Sequence, residues 1–354
     1  MEYLAMKKSL MALAVLAASG AAMAQSSVTL FGVLDATYAY GSGSLSNKSQ
    51  LTNSGIGGSR LGFRGTEDMG GGLSASFWIE AGVNNDDGTG TATDTNNQAN
   101  SSGGGGLAFN RRSTVSLGGG FGEVRLGRDY TPQFTNLTAF DPFGTNGVGS
   151  NQMLVSSVGG PTRVRASNSI GYILPGNLGG FYGQAMYYLG ENSSNSANKK
   201  DGNGLGLRAG YKNGPIDAAL AFSQTKYLTG DIKTVNLGGQ YDLGMVKLMA
   251  QYSQDKATKR GTGKGMLAGG TVPMGPGEID FSYSTYKLDV AGPVDPRTNL
   301  LAVGYTYNLS KRTALYTTFA RASNKGGATI ALAGATTAAN TNSNGYNFGL
   351  RHSF

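Results

Sequence analysis

The sequence has no cysteine, a single histidine and only nine prolines in 354 residues. Without cysteine the chain has no disulfide framework and no thiolate to act as a nucleophile or metal ligand. The one histidine, His352, stands two residues from the C-terminus, so the histidine-containing sites of hydrolases and of catalytic zinc enzymes are missing. The composition therefore argues against an enzyme, and we expect neither a metal nor a cofactor.

Long hydrophobic runs are missing as well. No run of 18 apolar residues follows residue 24, and the mean hydropathy is −0.22, which excludes helical membrane spans. The N-terminus instead combines Lys7 and Lys8 with a short apolar stretch over residues 10–18 and the small residues Ala22-Met23-Ala24. This order is typical of a secretory signal peptide. We predict that residues 1–24 are cleaved and that residues 25–354 form one exported domain.

Glycine is abundant, with 58 residues, and apolar residues alternate with polar ones. Between Val28 and Tyr40 every second residue is apolar or glycine, whereas the opposite parity carries Thr29, Asp35 and Thr37. The alternation recurs over 73–83, 205–211, 216–222, 235–241, 246–252, 279–283, 301–309 and 346–354. A tilted strand needs about 9 to 11 residues to cross a bilayer and shows lipid only every second side chain. The pattern predicts an all-β fold, a transmembrane antiparallel β-barrel of about 16 strands around an aqueous lumen.

The connections between these runs alternate in length. Short turns lie near 68–70, 118–120, 213–214, 242–244 and 310–311, and long polar loops span 41–59, 84–108, 191–203 and 322–344. Short turns at one end and long loops at the other are typical of outer-membrane barrels. A soluble β-sandwich would have connections of similar length at both ends and large residues on its inward, apolar parity.

Three motifs carry a resemblance to a known family. They are Ser59-Arg60-Leu61-Gly62-Phe63-Arg64-Gly65-Thr66-Glu67-Asp68, Phe121-Gly122-Glu123-Val124-Arg125-Leu126-Gly127-Arg128 and Arg165-Ala166-Ser167-Asn168-Ser169-Ile170-Gly171-Tyr172, together with the terminal Phe354. With them the chain resembles the trimeric general-diffusion porins of beta-proteobacteria over its whole mature length. The resemblance implies a sixteen-stranded barrel, a homotrimer, Phe354 as an assembly signal and a third loop, over 129–162, that folds into the lumen. Asp141 is one of few acids in that loop.

Arginines recur on the polar parity of the predicted strands. A charge on the lipid face costs about 2 to 4 kcal/mol at mid-membrane, so charged residues within strands are driven toward the lumen. We predict that Arg60, Arg64, Arg112, Arg125, Arg163 and Arg165 line a constriction, that Arg128 turns inward where the third loop begins, and that Glu80 and Asp141 are the opposing acids. Nucleic-acid binding is disfavoured because the aromatic residues belong to the opposite, apolar parity.

The sequence thus predicts a passive pore in the outer membrane of a Gram-negative bacterium. We expect it to prefer small anionic or neutral solutes, to contact outer-membrane lipid and lipopolysaccharide, and to associate as a homotrimer. One alternative is a substrate-specific porin for a carboxylate, a phosphate or a sugar, with Tyr182, Tyr188 or Tyr286 lining the lumen. Another is an adhesin or surface antigen that acts through the long loops.

Overall fold

A computed structural model describes residues 27–94, 96–99 and 106–354. The predicted signal peptide lies outside the described residues. The strands are β1 (Ser27–Ser42), β2 (Lys48–Asn53), β3 (Arg60–Gly70), β4 (Leu73–Asn84), β5 (Thr89–Gly90), β6 (Arg112–Gly119), β7 (Gly122–Tyr130), β8 (Arg165–Ile173), β9 (Phe181–Tyr188), β10 (Gly204–Asn213), β11 (Ile216–Thr225), β12 (Ile232–Asp242), β13 (Lys247–Ala257), β14 (Gly261–Met274), β15 (Gly277–Asp289), β16 (Arg297–Asn308), β17 (Thr313–Lys325) and β18 (Asn342–Ser353).

The strands pair antiparallel in chain order, and β1 pairs with β18 to close the sheet. Both β2 and β3 pair with β1, so they form one barrel strand interrupted at residues 54–59. The two-residue β5 pairs only with the end of β4. The barrel therefore has sixteen strands, which confirms the predicted fold. The predicted long loop over 41–59 is wrong in part, because β2 lies within it.

The alternation decides which side chains face outward. In β1, Leu30 is 55% exposed and Leu34 and Tyr38 are also exposed, whereas Asp35 is fully buried and Thr37 nearly so. A soluble protein shows the reverse distribution. The outer wall is thus apolar and the inner face polar, as a strand that faces lipid on one side and water on the other requires.

The third loop, residues 131–164, contains α1 (Pro132–Ala139), α2 (Gln152–Val155) and a 3₁₀ turn over Pro161–Arg163. No helix among the described residues is long and apolar enough to cross a membrane. α1 packs against the inner face of β10–β12, and α2 packs against β14–β16. Two apolar clusters hold the loop, one of Phe143, Val148, Leu300, Ala302, Ala320, Ala322 and Leu332 and one of Leu137, Met153, Leu267 and Tyr286. The loop therefore folds into the lumen, as predicted.

Candidate functional site

Neighbouring segments bring arginines together on one side of the lumen. We call this set the arginine wall; its members are Arg60 and Arg64 of β3, Arg111 immediately before β6, Arg112 of β6, Arg125 of β7 and Arg165 of β8. The residues of opposite parity, such as Val115 and Leu126, are exposed on the outer surface. The strand pleat alone thus turns the guanidinium groups of the strand residues inward.

Three members of the wall are linked through Glu80 and Tyr130. Arg111 Nε lies 2.6 Å from Glu80 Oε1, and Arg60 Nε lies 3.9 Å from the same atom. Arg111 and Arg165 both donate to the Tyr130 hydroxyl, at 3.2 and 3.0 Å. The Arg165 guanidinium also lies 4.5 Å from the centroid of the Tyr130 ring. Two cations therefore share the Glu80 carboxylate, and a third joins them at the Tyr130 hydroxyl.

A second group within the wall is balanced in charge. Arg125 makes two hydrogen bonds to Glu123, of 2.9 and 3.0 Å, and its Nη1 lies 2.6 Å from Asp129 Oδ2. Arg112 Nε lies 3.7 Å from the same Asp129 oxygen. Two cations thus face two acids, so this group adds little net charge.

Arg64 differs from its neighbours. Its side chain makes no ion pair within the part of the chain that the structure describes, and the residue is exposed to the lumen. It is held instead over two aromatic rings, with its guanidinium carbon 5.2 Å from the Phe31 centroid and 5.0 Å from the Trp78 centroid. Arg64 therefore presents an uncompensated charge.

Three residues expected at the constriction lie elsewhere. Arg128 forms a 2.7 Å ion pair with Asp94 and donates to the Asn110 carbonyl, so it fastens the loop after β4. Arg163 is exposed on the 3₁₀ turn that ends the third loop. Asp141 is only 5% exposed, and its carboxylate accepts hydrogen bonds from the Phe143 and Thr145 amides and from Asn151. It shapes the loop and presents no free charge to the lumen.

The wall opposite the arginines carries acids that the third loop covers. Asp255 and Asp280 are buried on the inner faces of β13 and β15. Asp255 accepts from Ser157 of the loop at 2.9 Å and from the Tyr286 hydroxyl at 3.0 Å. Asp280 is buried as well, although its Oδ1 has no hydrogen-bond partner among the described residues. Both carboxylates are therefore less accessible to a solute in the lumen than the exposed Arg64.

A second inward segment meets the third loop. Residues 54–59 fold onto the inner face of β1, where Asp35 accepts from the Ile56 and Gly57 amides at 2.9 and 2.8 Å. Gly147 of the third loop has φ +60°, and a Cβ there would lie 2.2 Å from the Gly55 carbonyl oxygen. Only glycine permits this approach. The loop thus spans the lumen and touches the segment beside the arginine wall.

Sequence reasoning missed Arg111, Tyr130, Asp129 and Glu123. Arg111 precedes β6, and strand alternation does not predict the direction of a side chain outside a strand. Its amide donates to the Glu80 carbonyl at 3.1 Å, and this hydrogen bond fixes the backbone of Arg111. Of the tyrosines suggested for a sugar pathway, Tyr188 and Tyr286 are buried under the third loop, whereas Tyr182 is half-buried and donates to Asp217. Among the described residues no group of three or more histidines, cysteines, aspartates or glutamates could hold a metal ion.

Comparison with known proteins agrees with this architecture. A family model described as Gram-negative porin matches residues 10–327. The chain belongs to the Gram-negative porin family. It is 40% identical to outer membrane porin protein 32 of Delftia acidovorans, over 99% of this chain and 100% of that protein. It is 30% identical to an outer membrane porin protein of Bordetella pertussis, over 88% of this porin and 93% of that one.

Solved structures show the same fold. An anion-selective porin from Comamonas acidovorans matches with a TM-score of 0.81 and 35% identity, over 93% of this chain and 100% of that one. OmpT of Vibrio cholerae matches with a TM-score of 0.66 at 13% identity, over 93% and 98%, which shows the shared fold alone. This porin is a passive diffusion pore of the Gram-negative outer membrane, and its relatives are channels rather than enzymes.

Proposed function

We propose that this porin conducts small anions in preference to cations, through a constriction between the arginine wall and the third loop. The observation that carries the proposal is the group in which Arg60 and Arg111 share the carboxylate of Glu80 while Arg165 joins Arg111 at the Tyr130 hydroxyl, so that three arginines lie beside one acid. The acids on the facing wall are buried beneath the loop. The name of the Comamonas acidovorans structure, an anion-selective porin, supports the same preference.

Magnitudes favour a measurable selectivity. Two unit charges about 4 Å apart interact by roughly 1 kcal/mol in bulk water and about 4 kcal/mol at an effective dielectric constant near 20. A narrow wet constriction lies between these limits. A net preference of about 1 to 2 kcal/mol would bias permeation toward anions by roughly 5- to 30-fold. The Debye length falls from about 10 Å at 0.1 M salt to about 3 Å at 1 M, so the preference should weaken at high salt.

A planar-bilayer recording across a potassium chloride gradient tests the proposal. We expect an anion-selective reversal potential near 0.1 M salt that shrinks toward 1 M. Arg111→Gln combined with Arg165→Gln should lower the selectivity, because only Arg60 then remains beside Glu80. Arg312→Gln, at an exposed short turn away from the wall, is the matched control and should leave it unchanged. A cation-selective wild-type pore, or equal selectivity in the double variant, would refute the proposal.

We also infer that three copies associate in the outer membrane. The outer wall of β1 exposes Leu30, Leu34, Ala36 and Tyr38, an apolar surface suited to lipid, to lipopolysaccharide or to a second copy. One solved OmpT structure of Vibrio cholerae is described as a trimer form. Chemical cross-linking and mass measurement in mild detergent should give three chains. Replacing Ala36 by Trp should shift the population to single chains, whereas a wild-type protein that is already monomeric would contradict the inference.

A further inference from the structure

Two aromatic side chains occupy the polar face of the barrel. Trp78, the one tryptophan of the sequence, points inward from β4, and its ring meets that of Phe31 of β1 edge-to-face, with centroids 5.0 Å apart and planes at 66°. Both residues are only half-buried. Apolar surface left in contact with lumen water is unfavourable, and exposed apolar patches in proteins usually mark binding sites. The position of Phe31 and Trp78 in the lumen therefore indicates a binding site.

Two guanidinium groups lie over these rings. Arg64 lies over both Phe31 and Trp78, and the guanidinium carbon of Arg112 lies 4.6 Å from the Trp78 centroid. A guanidinium stacked on an aromatic ring keeps its N–H donors free in its own plane, where they match the two oxygens of a carboxylate. We call these four residues the aromatic–arginine platform.

The charge of the platform is concentrated on Arg64. Arg112 faces Asp129, and Arg60, Arg111 and Arg125 each lie within ion-pair distance of an acid. Within the described ranges Arg64 has neither an ion pair nor a side-chain hydrogen bond. Its position is also favourable, because Arg64 faces Trp78 across the β3–β4 pair, four residues along β3 from Arg60. An anion that passes the constriction meets Arg64 and the rings together.

We propose that the platform binds aromatic carboxylates of the benzoate class as they permeate. The carboxylate accepts hydrogen bonds in the plane of the Arg64 guanidinium, and the ring of the ligand packs against Phe31 and Trp78. This inference rests on the proposed function, since an anion must be able to enter the pore. It adds a preference for flat aromatic anions over aliphatic anions of the same charge.

Fluorescence of Trp78 reports directly on the platform, because no other tryptophan contributes. Purified porin in detergent is titrated at neutral pH with benzoate and, separately, with cyclohexanecarboxylate, which has the same charge and a similar size but no aromatic ring. Free N-acetyltryptophanamide serves as the reference for collisional quenching. We expect a saturable change with benzoate at a concentration about 2- to 13-fold lower than with cyclohexanecarboxylate, as an aromatic pair contributes.

Two variants keep the reporter and remove one partner each. Arg64→Lys retains the charge but loses the planar donors, and Phe31→Leu retains apolar volume but loses the ring. Arg64→Lys should raise the half-saturation concentration of both ligands, because both carry the carboxylate that Arg64 binds, whereas Phe31→Leu should reduce the difference between them. Arg312→Lys, at the exposed turn between β16 and β17, should change neither. Equal titration of the two ligands by the unmodified porin, or a difference that Phe31→Leu leaves unchanged, would overturn the inference.

The reversal potential of the same preparation separates this inference from the proposed function. An anion-selective pore that binds the two ligands equally would refute the platform and leave the anion preference standing. A cation-selective pore would refute both. Saturable reduction of the chloride current by benzoate, stronger than by cyclohexanecarboxylate, is the expected electrical counterpart of the fluorescence change.

Discussion

At the scale of single residues, Asp35 shows how one buried carboxylate shapes the lumen. It is fully buried and accepts from the Ile56 and Gly57 amides and from the Tyr316 hydroxyl. Its backbone lies opposite that of Arg351 in the closing strand pair. Residues 54–59, which separate β2 from β3, therefore lie on the inner face of the barrel and are held there by hydrogen bonds.

Replacing Asp35 by Ala should release this segment. The change removes the acceptor of two part-buried backbone amides, and an unpaired amide costs up to about 1 to 3 kcal/mol when it stays out of contact with water. We expect a lower temperature of heat modification on gels and a larger single-channel conductance, because residues 54–59 would no longer be held against the inner face. Asp68→Ala, at the exposed end of β3, is the matched control. Equal conductance and equal transition temperature in the two variants would contradict this role.

Parity predicted the direction of most arginines but not of every charged residue. Arg60, Arg64 and Arg125 lie within regular strands, where the pleat fixes the side of each side chain. Arg111 lies just outside a strand, and the direction of Asp141 depends on hydrogen bonds made only when the third loop folds. Such contacts join residues far apart in the sequence or depend on irregular backbone, so alternation carries no information about them.

At the scale of elements, the third loop depends on the turn that Asp141 organises. Its carboxylate holds the Phe143 amide at 2.9 Å, the Thr145 amide at 3.0 Å and the Asn151 side chain at 2.7 Å. Burial nevertheless raises the pKa of Asp141 from 3.8 to about 6, and these three hydrogen bonds only partly oppose the shift. The folded loop thus binds this proton more tightly than the unfolded chain does.

The free energy of unfolding of the porin should consequently fall as the pH rises through the pKa of Asp141. Its contribution is fully present below pH 3.8 and is lost by about pH 6, a change of roughly 3 kcal/mol. Asp141→Asn removes this titration, so the difference in heat-modification temperature between wild type and variant should depend on pH. Exposed Asp86→Asn is the control, and a pH-independent difference for Asp141→Asn would contradict the expectation.

Sequence periodicity predicted the elements well where they are long and regular. The third loop was expected over 129–162 and lies over 131–164, and its apolar residues explained why it packs inside the barrel. The short β2 was missed because its six residues, Lys48–Asn53, alternate weakly and are all at least partly exposed. β2 becomes a strand only by pairing with β1, and the local sequence of β2 carries no information about that contact.

At the scale of the whole molecule, the barrel is completed by a contact between its two ends. The Gly32 amide donates to the Phe354 carbonyl and the Phe354 amide donates to the Gly32 carbonyl, each at 3.1 Å. The Phe354 ring lies across Gly32, where a Cβ would approach its Cζ to 2.3 Å. The small outward residue at position 32 thus accommodates the terminal ring, and the two edges of the sheet are removed together.

Loss of this contact should impair assembly of the barrel. Phe354→Asp removes a ring whose partial burial contributes roughly 1 to 2 kcal/mol and places a charge on the outer surface. We expect several-fold less heat-modifiable barrel in outer-membrane fractions. Gly32→Val should give a similar defect by a different route, since its side chain displaces the ring, whereas Phe354→Tyr should assemble normally. If Phe354→Asp assembles normally while Gly32→Val fails, the closing hydrogen bonds suffice without the ring, and Phe354 is no assembly signal.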